Sequence, residues 1–357
     1  MLSDLIAWSS RLSADRGISR ATQIADILSA RRQARIGVSE YYELELFDRQ
    51  KFSDLHRCIG RHGSARIDRL LNNDYWRATA NDKILNYALL VHFGLPIAET
   101  VATFNAGHAR IAQERRIADD DALHAFFADS DAYPLFAKPV HGSYGKGTFS
   151  LQSYDPGSRT FVAPNGGQVS LNDIIEAGRR PQFKGLLIQR TLQPHPTVLE
   201  TVGPSTSCVR VILVRDGDEA FIHFAFWKIA RAHNITDNFS YGRHGNLLGS
   251  VDVDSGEVRR VINGLWPDGR DITDHPDSGQ PLSGFVLPDW PRAKETLIEA
   301  SHIFPGLSLQ NWDVAFCEQG PVLLELNTEP DLQVPQMLAG TPFIDDRLQA
   351  VLNRAGW

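Results

Sequence analysis

The sequence predicts an α+β protein with a helical N-terminal unit, and three observations support this fold class. Residues 1–75 are rich in Ala, Leu, Arg, Asp and Glu, with apolar positions at helical spacing. From residue 135 onward, short apolar runs bounded by glycine, proline and polar residues predict strands. Residues 312–330 predict two further short strands joined by a turn. A chain of 357 residues has room for two or three compact units with a sizeable core.

The composition is ordinary for a soluble globular protein. Hydrophobic residues make up 42% of the chain, and no run approaches the roughly 20 apolar residues that a membrane-spanning helix needs. The net charge of −7 and the absence of a long basic run argue against a nucleic-acid partner. We expect no secretory signal, because the first residues lack a basic stretch followed by an apolar core. Cys58, Cys208 and Cys317 are widely spaced, which predicts buried free thiols and a cytoplasmic location.

The segment WDVAFCEQGPVLLELNTEP, residues 312–330, places polar side chains at the ends of two apolar runs. Asp313 opens the first run, and Glu325 and Asn327 close the second. Glu325 and Asn327 are two residues apart, so a strand would point both side chains to the same face. Two carboxylates and an amide are hard oxygen ligands of the kind that magnesium prefers. The alternative is a polar strand end that simply faces solvent.

A glycine-rich loop, HGSYGKG, lies between two short predicted strands within residues 135–151. Its glycines would let backbone N–H groups turn toward an anion, and Lys138 and Lys146 add positive charge. A Walker A or Rossmann loop would lead into a helix, whereas a strand follows this loop. We therefore predict a hairpin flap that closes over phosphates, with a plain glycine-rich turn as the alternative.

Three further cations occupy unusual positions. Lys83 follows an Asn-Asp helix cap and lies in the first helical turn, where the helix dipole disfavours a positive charge. Arg210 and Lys228 are embedded in strongly apolar predicted strands. These positions favour a phosphate-facing surface, although a surface lysine or a paired edge residue would give the same patterns.

Two irregular segments carry further predictions. Gln189 ends an apolar run, and Pro194-His195-Pro196 is expected to continue as a rigid extended link. Such a strand-to-linker edge offers the backbone groups that an adenine edge can bind. Residues 231–249 form a long polar loop that breaks the strand pattern, and loops of this length are often functional. We expect this loop to help form an acceptor pocket.

The order of these features resembles that of the ATP-grasp enzymes, over roughly residues 81–330. The segments TDNFSYGRHG, HPDSGQPLSGFVLPDW and NWDVAF…GPVLLELNTEP are most similar to the sugar-transfer-associated ATP-grasp proteins. The resemblance implies two α+β lobes that clasp ATP. It divides the chain into a helical N-terminal unit (1–75), a pre-grasp α/β segment (76–134), a small lobe with the glycine-rich flap (135–193) and a large lobe with the magnesium site (194–357).

The same resemblance implies a nucleotide-binding role for a set of residues. Lys83 and Lys138 would bind the α and β phosphates. Gln189 would accept from the adenine amino group, with the backbone of Arg190 and Leu192 completing the purine edge. His195 or Gln193 would contact the ribose. The loop that would cover the triphosphate comprises Gly142, Ser143, Gly145, Lys146 and Gly147.

The resemblance also implies a metal and transfer site. Asp313, Glu325 and Asn327 would hold two magnesium ions, with Glu325 bridging them, and Lys228 would meet the terminal phosphate. Two positions depart from the family pattern. Gln189 stands where a glutamate is common, and Asn311 stands where many relatives have a catalytic arginine. Arg210 or Arg231 would then have to supply that charge.

The implied activity is an ATP- and magnesium-dependent ligation. A carboxylate, from a small molecule or a glycan-linked substrate, would be activated as an acyl phosphate and joined to an amine. The expected context is cell-surface polysaccharide or peptide-type metabolite biosynthesis. Two alternatives stay open: a phosphotransferase that acts on a hydroxyl, and a non-catalytic nucleotide-binding partner. A glycan-binding role for residues 239–249 is compatible with each of them.

Overall fold

The computed structural model of the protein describes residues 2–107, 111, 114–129, 131–142, 145–232, 234–328 and 331–357. It contains helices and mostly antiparallel sheets, which confirms the α+β class. The helices are α1 (Leu2–Arg16), α2 (Arg20–Ala34), α3 (Val38–Glu43), α4 (Arg61–Leu71), α5 (Asp74–Asn81), α6 (Lys83–His92), α7 (Asp120–Ala128), α8 (Leu171–Arg179), α9 (Pro196–Val202), α10 (Trp290–Ile303), α11 (Gln333–Ala339) and α12 (Asp346–Arg354). Within the described residues, no helix has both the length and the apolar character needed to cross a bilayer.

The strands form three sheets within the described ranges. They are β1 (Thr100–Phe104), β2 (Arg115–Ile117), β3 (Leu135–Pro139), β4 (Phe149–Leu151), β5 (Ser153–Asp155), β6 (Thr160–Val162), β7 (Gln168–Ser170), β8 (Leu186–Arg190), β9 (Cys208–Asp216), β10 (Glu219–Ile229), β11 (Leu247–Val251), β12 (Val258–Ile262), β13 (Leu309–Cys317) and β14 (Gly320–Asn327). The large sheet has the order β12-β11-β10-β9-β13-β14, and its neighbouring strands are antiparallel.

The large sheet is covered on both faces. Alternate residues along β9 point to opposite sides, so Val211 packs with α10 and α6, whereas Ile212 packs with the N-terminal and C-terminal helices. Helices α1–α4 therefore share one hydrophobic core with the large sheet, α11 and α12. Not every apolar residue of the N-terminal helices joins that core, since Ile24 and Leu28 are exposed. The three cysteines are free and buried, as predicted.

The smaller part of the molecule is built on the sheet β2-β1-β8-β3-β4, with the three-stranded sheet β5-β6-β7 beside it. Its core is a separate cluster in which Phe104, Phe127 and Ile188 are fully or almost fully buried. Strands β1 and β2 come from residues 76–134 and join the sheet formed by β3, β4 and β8. The division of the chain at residues 75, 134 and 193 remains a prediction.

Two chain segments connect the small part to the large sheet, and both run along the β13–β14 hairpin. Where the chain enters, the Leu323 N–H donates to the Pro96 carbonyl at 2.8 Å. Where it leaves, the Glu318 N–H donates to the Gln193 carbonyl at 3.2 Å. The prediction that residues 194–196 form an extended link was wrong for Pro196. His195 caps α9, and Pro196 begins that helix because its fixed φ suits the first helical position.

Candidate functional site

A cleft of about 840 Å³ lies between the small sheet and the large sheet. It brings together most of the residues predicted from the sequence. Those that line it are Lys83, Lys138, Gly142, Gly145, Lys146, Gln189, Arg190, Leu192, Arg210, Lys228, Asp313, Glu325 and Asn327. Gly147, His195 and Arg231 are described but do not line it, and Ser143 lies outside the described residues.

Asp313 is the most strongly bonded of these side chains. It pairs with Arg210 on β9 in the sheet register, so the two side chains are cross-strand neighbours on one face. The guanidinium binds the carboxylate with two hydrogen bonds, Nε to Oδ1 at 2.8 Å and Nη2 to Oδ2 at 2.7 Å. The Lys228 ammonium donates to the same Oδ2 at 3.1 Å. Sheet pairing therefore places Arg210 beside Asp313, and Lys228 reaches the same carboxylate from the next strand.

The charges of this trio stabilise one another. Burial alone would raise the pKa of the Asp313 carboxyl, but Arg210 and Lys228 hold it well below its usual range. Burial likewise acts to lower the pKa of Lys228, yet Asp237 and Asp313 keep it above its usual value. All three groups therefore stay ionised in the cleft at neutral pH.

The second strand of the hairpin adds Glu325 and Asn327 to the same face. Glu325 is the register partner of Asp313, and its carboxylate lies 3.7 Å from the Lys83 ammonium. With its amide nitrogen turned to Glu325 Oε1 at 2.6 Å, Asn327 accepts from Arg210 Nη2 at 3.2 Å. Asn327 thus bridges the acidic and basic groups, and Asp313, Glu325 and Asn327 all line the cleft.

These side chains suit magnesium on the condition that a nucleotide and water supply the remaining ligands. Among the described residues, no group of three or more His, Cys, Asp and Glu side chains is placed to hold a metal ion. Magnesium is commonly held by one or two carboxylates, with phosphate oxygens and water completing the octahedron. The carboxylates of Asp313 and Glu325 with the Asn327 amide suit that pattern. The remaining positions would be left for a nucleotide.

Lys138 reaches the cleft from β3 and is held by a residue that the sequence did not single out. Its ammonium donates to the Tyr87 hydroxyl at 2.6 Å, and that hydroxyl donates to the Leu324 carbonyl. Burial lowers the pKa of Lys138 to about 8, against the opposing effect of Glu325 and Asp313. Tyr87 lies within the apolar stripe of α6, so its hydroxyl gave no signal in the sequence.

The predicted flap is the turn between β3 and β4, and two of its glycines are sterically required. Gly147 has φ +75°, and a Cβ there would lie 2.5 Å from the Phe183 ring. Gly145 has φ +68°, and a Cβ there would lie 2.8 Å from the Thr236 side chain. Lys83 holds the start of the flap by donating to the Gly142 carbonyl at 3.0 Å. The flap therefore contacts both α6 and the polar loop. That loop ends at residue 246 and not at residue 249 as predicted, because β11 begins at Leu247.

The C-terminal end of β8 carries the residues predicted to bind adenine, Gln189 and Arg190. The Gln189 amide nitrogen donates to the Ala98 carbonyl at 3.2 Å and to the Thr100 hydroxyl at 3.1 Å. Its side-chain oxygen is thus the atom able to accept from an amino group. The Arg190 N–H donates to the Glu99 carbonyl at 3.0 Å, and both Arg190 and Leu192 line the cleft. The adenine-binding role that the resemblance implies for these residues stays a prediction.

The structure separates the two candidate arginines. Arg210 lines the cleft, whereas Arg231 binds Asp277 with two hydrogen bonds of 2.8 and 2.6 Å and does not line it. The His195 ring bonds to the Thr197 hydroxyl at the start of α9, while Gln193 lines the cleft. Sequence reasoning missed Asp237, whose carboxylate lies 3.5 Å from the Lys228 ammonium.

Several solved structures resemble this chain at low sequence identity. A biotin carboxylase complex from Campylobacter jejuni has 11% identity and a TM-score of 0.48, with 81% of this chain and 49% of that chain covered. The VanG D-Ala:D-Ser ligase from Enterococcus faecalis has 13% identity and a TM-score of 0.46, with coverage of 80% and 64%. The D-alanine-D-alanine ligase from Coxiella burnetii has 12% identity and a TM-score of 0.41, with coverage of 83% and 66%. The chain therefore spans between about half and two thirds of these structures.

Comparison of the sequence with curated proteins finds no significant match. A family model gives the assignment instead. The model described as sugar-transfer associated ATP-grasp matches residues 63–353, from within α4 to within α12. That range includes every cleft residue named above, together with both strands of the Asp313–Glu325 hairpin. The protein belongs to the sugar-transfer associated ATP-grasp family.

Proposed function

We propose that the protein is an ATP- and magnesium-dependent ligase that activates a carboxylate as an acyl phosphate and joins it to an amine. One observation carries the proposal. A single cleft contains Lys83 and Lys138 on one side, Arg210 and Lys228 on the other, and the oxygen ligands of the β13–β14 hairpin between them. The positive groups suit a polyphosphate, and the oxygen atoms suit the metal that accompanies it.

The residues have distinct parts in the first step. A substrate carboxylate oxygen attacks the γ phosphorus of ATP, and the bond to the β–γ bridging oxygen breaks to release ADP. Lys138 and Lys83 hold the phosphates of the nucleotide. Arg210 and Lys228 neutralise the charge that develops on the transferring oxygens. Magnesium, held by Asp313, Glu325 and Asn327, would supply further charge neutralisation when bound. In the second step the amine attacks the acyl carbonyl, inorganic phosphate leaves, and the amine loses a proton.

The acceptor compartment adjoins the phosphate-facing cations. Phe226 lies opposite Arg210 in the register, and Leu248 lies opposite Lys228. Both line the cleft, together with Phe239 and Tyr241 of the polar loop. A substrate bound there would rest on an apolar and aromatic floor beside the terminal phosphate. The sugar-transfer association in the family description supports a glycan or glycan-linked substrate and a role in surface polysaccharide or related metabolite synthesis.

The test is an ADP-release screen with pooled carboxylates and amines, followed by mass spectrometry of the product. The proposal predicts an amide product and release of inorganic phosphate. Glu325→Ala is expected to lower turnover by about 10²–10³, because it removes a metal ligand, while the melting temperature is retained. Glu318→Ala, an exposed carboxylate in the hairpin turn, is the matched control.

Two results would contradict the ligase assignment. ADP release by Glu325→Ala at the parent rate would exclude the predicted metal site. A stable phosphoester as the product, without amide formation, would replace the ligase with a phosphotransferase that uses the same nucleotide site.

A further inference from the structure

Both carboxylate oxygens of Asp237, which lies beside Lys228, contact polar groups of the large sheet. It belongs to the polar loop between β10 and β11, and its side chain is only 12% exposed. Its Oδ2 accepts from the Cys208 N–H, at the start of β9, at 2.8 Å. Its Oδ1 lies 3.5 Å from the Lys228 ammonium on β10. One carboxylate thus joins the loop to two neighbouring strands of the large sheet.

A buried asparagine fixes the loop on both sides of Asp237. Asn246 is 1% exposed, and its amide nitrogen donates to the Thr236 carbonyl at 2.8 Å and to the Asn238 carbonyl at 2.9 Å. Its side-chain oxygen accepts from the Arg231 N–H at 2.9 Å and from the Asn234 side chain at 2.6 Å. All the hydrogen-bonding capacity of this amide is therefore used to hold the backbone around one carboxylate.

Lys228 consequently contacts two carboxylates, Asp313 and Asp237, which have different bonding partners. Asp313 is shared with Arg210 and belongs to the oxygen atoms that suit a metal. Asp237 binds a backbone amide and Lys228, and it is not part of that oxygen set. A long, flexible ammonium chain held by Asp313 alone would be free to follow that carboxylate. A second carboxylate, carried by a separate loop, restricts where the nitrogen can lie.

We infer that Asp237 is a positioning residue, which holds the Lys228 ammonium where it meets the terminal phosphate of the bound nucleotide. This inference rests on the proposed function. Gly145 of the flap lies against Thr236, the neighbour of Asp237, so the flap contacts the loop segment that positions Lys228.

The test compares binding of a non-hydrolysable ATP analogue with binding of ADP, by calorimetry with magnesium present and no acceptor. Asp237→Asn keeps an oxygen for the Cys208 N–H but removes the charge that faces Lys228. The expected result is a loss of about tenfold in the preference for the triphosphate, with ADP affinity retained. Asp254→Asn, the same change in the exposed turn between β11 and β12, should leave both affinities unchanged.

A second variant pair distinguishes positioning from structural damage. In a Lys228→Met background, Asp237→Asn should have no further effect on the triphosphate preference, because the residue acts through that lysine. Additive losses, or equal losses for ADP and the triphosphate, would overturn the inference. An unchanged or stronger triphosphate preference would also overturn it, since Asp237 would then only balance charge. If the parent protein bound no nucleotide, the proposed function and the inference would both be overturned. If the parent bound nucleotide and Asp237→Asn had the same triphosphate preference, only the inference would be overturned.

Discussion

Tyr87 and Lys138 are joined by a hydrogen bond: the lysine ammonium donates to the tyrosine hydroxyl at 2.6 Å, and the hydroxyl donates to the Leu324 carbonyl on the β13–β14 hairpin. A helix, the small sheet and the large sheet are therefore linked through one phenol oxygen. Because Tyr87 is fully buried, water cannot replace these bonds.

Replacing Tyr87 by Phe should weaken both stability and nucleotide binding. The buried ammonium and the Leu324 carbonyl would each lose a partner, which is expected to cost about 1–3 kcal/mol of unfolding free energy. Urea unfolding measures that cost, and calorimetry with ADP measures the accompanying loss of affinity. Tyr154→Phe removes a hydroxyl that bonds to His124 outside the cleft, and should leave ADP affinity unchanged. Equal ADP affinities for Tyr87→Phe and the parent would show that Lys138 does not depend on this contact.

Nucleotide affinity should fall as the pH rises above about 8. Burial lowers the pKa of Lys138 to about 8, so the free protein loses this positive charge above that pH. Phosphate binding favours the charged form, and binding at higher pH must therefore include uptake of a proton, which weakens the apparent affinity. Calorimetry in buffers of different ionisation enthalpy between pH 7 and 9.5 measures both effects. Lys138→Arg stays charged and should flatten the profile, whereas a profile that matches the parent's would assign the proton to another group.

The two arginines should differ in their importance for turnover. Arg210 bonds to Asp313 in the cleft, whereas Arg231 is paired with Asp277 outside it. Arg210→Ala is expected to lower kcat by about 10²–10³, the typical effect of removing a group that stabilises transition-state charge. Arg231→Ala should produce a clearly smaller loss in the same ADP-release assay. The reverse order would place the missing catalytic charge on Arg231.

Gly147→Ala should disturb the flap. A Cβ at this position would lie 2.5 Å from the Phe183 ring, and the backbone has a φ of +75°. We expect a cost of about 1–3 kcal/mol, from left-handed strain and steric conflict together, with weaker triphosphate binding. Gly166→Ala has a similar φ of +79° but meets no atom within 4 Å, so it isolates the strain. Indistinguishable unfolding free energies for the two variants would mean that the Phe183 contact adds nothing.

The predictable part of the site was local. Glu325 and Asn327 share a face because strands alternate, and a short turn then places Asp313 opposite Glu325. Lone cations in apolar strands also gave a usable signal, since Arg210 and Lys228 lie on neighbouring strands and bind the same carboxylate. The glycine loop was recognisable because strands flank it on both sides.

The rest of the site depends on contacts that no local pattern encodes. Tyr87 lies among apolar residues of α6, and only the packing of three elements turns its hydroxyl to Lys138. Asp237 and Asn246 lie in a polar loop whose composition is equally suited to solvent. Arg210 and Arg231 both accompany strands, and their separation became visible only when Asp277 was found beside Arg231. Pro196 was misjudged because proline favours both extended segments and helix starts.

The β13–β14 hairpin also joins the small part to the large sheet. Both connecting segments between the small part and the large sheet are hydrogen-bonded to this hairpin, one at Leu323 and the other at Glu318. Any movement of the small part relative to the large sheet therefore has to preserve or break hydrogen bonds on the same hairpin that carries Asp313 and Glu325. Lys138 also donates to the Leu324 carbonyl at 3.4 Å, so this lysine of the small part is attached to the hairpin as well. Movement of the small part and the arrangement of the cleft are consequently coupled through one hairpin.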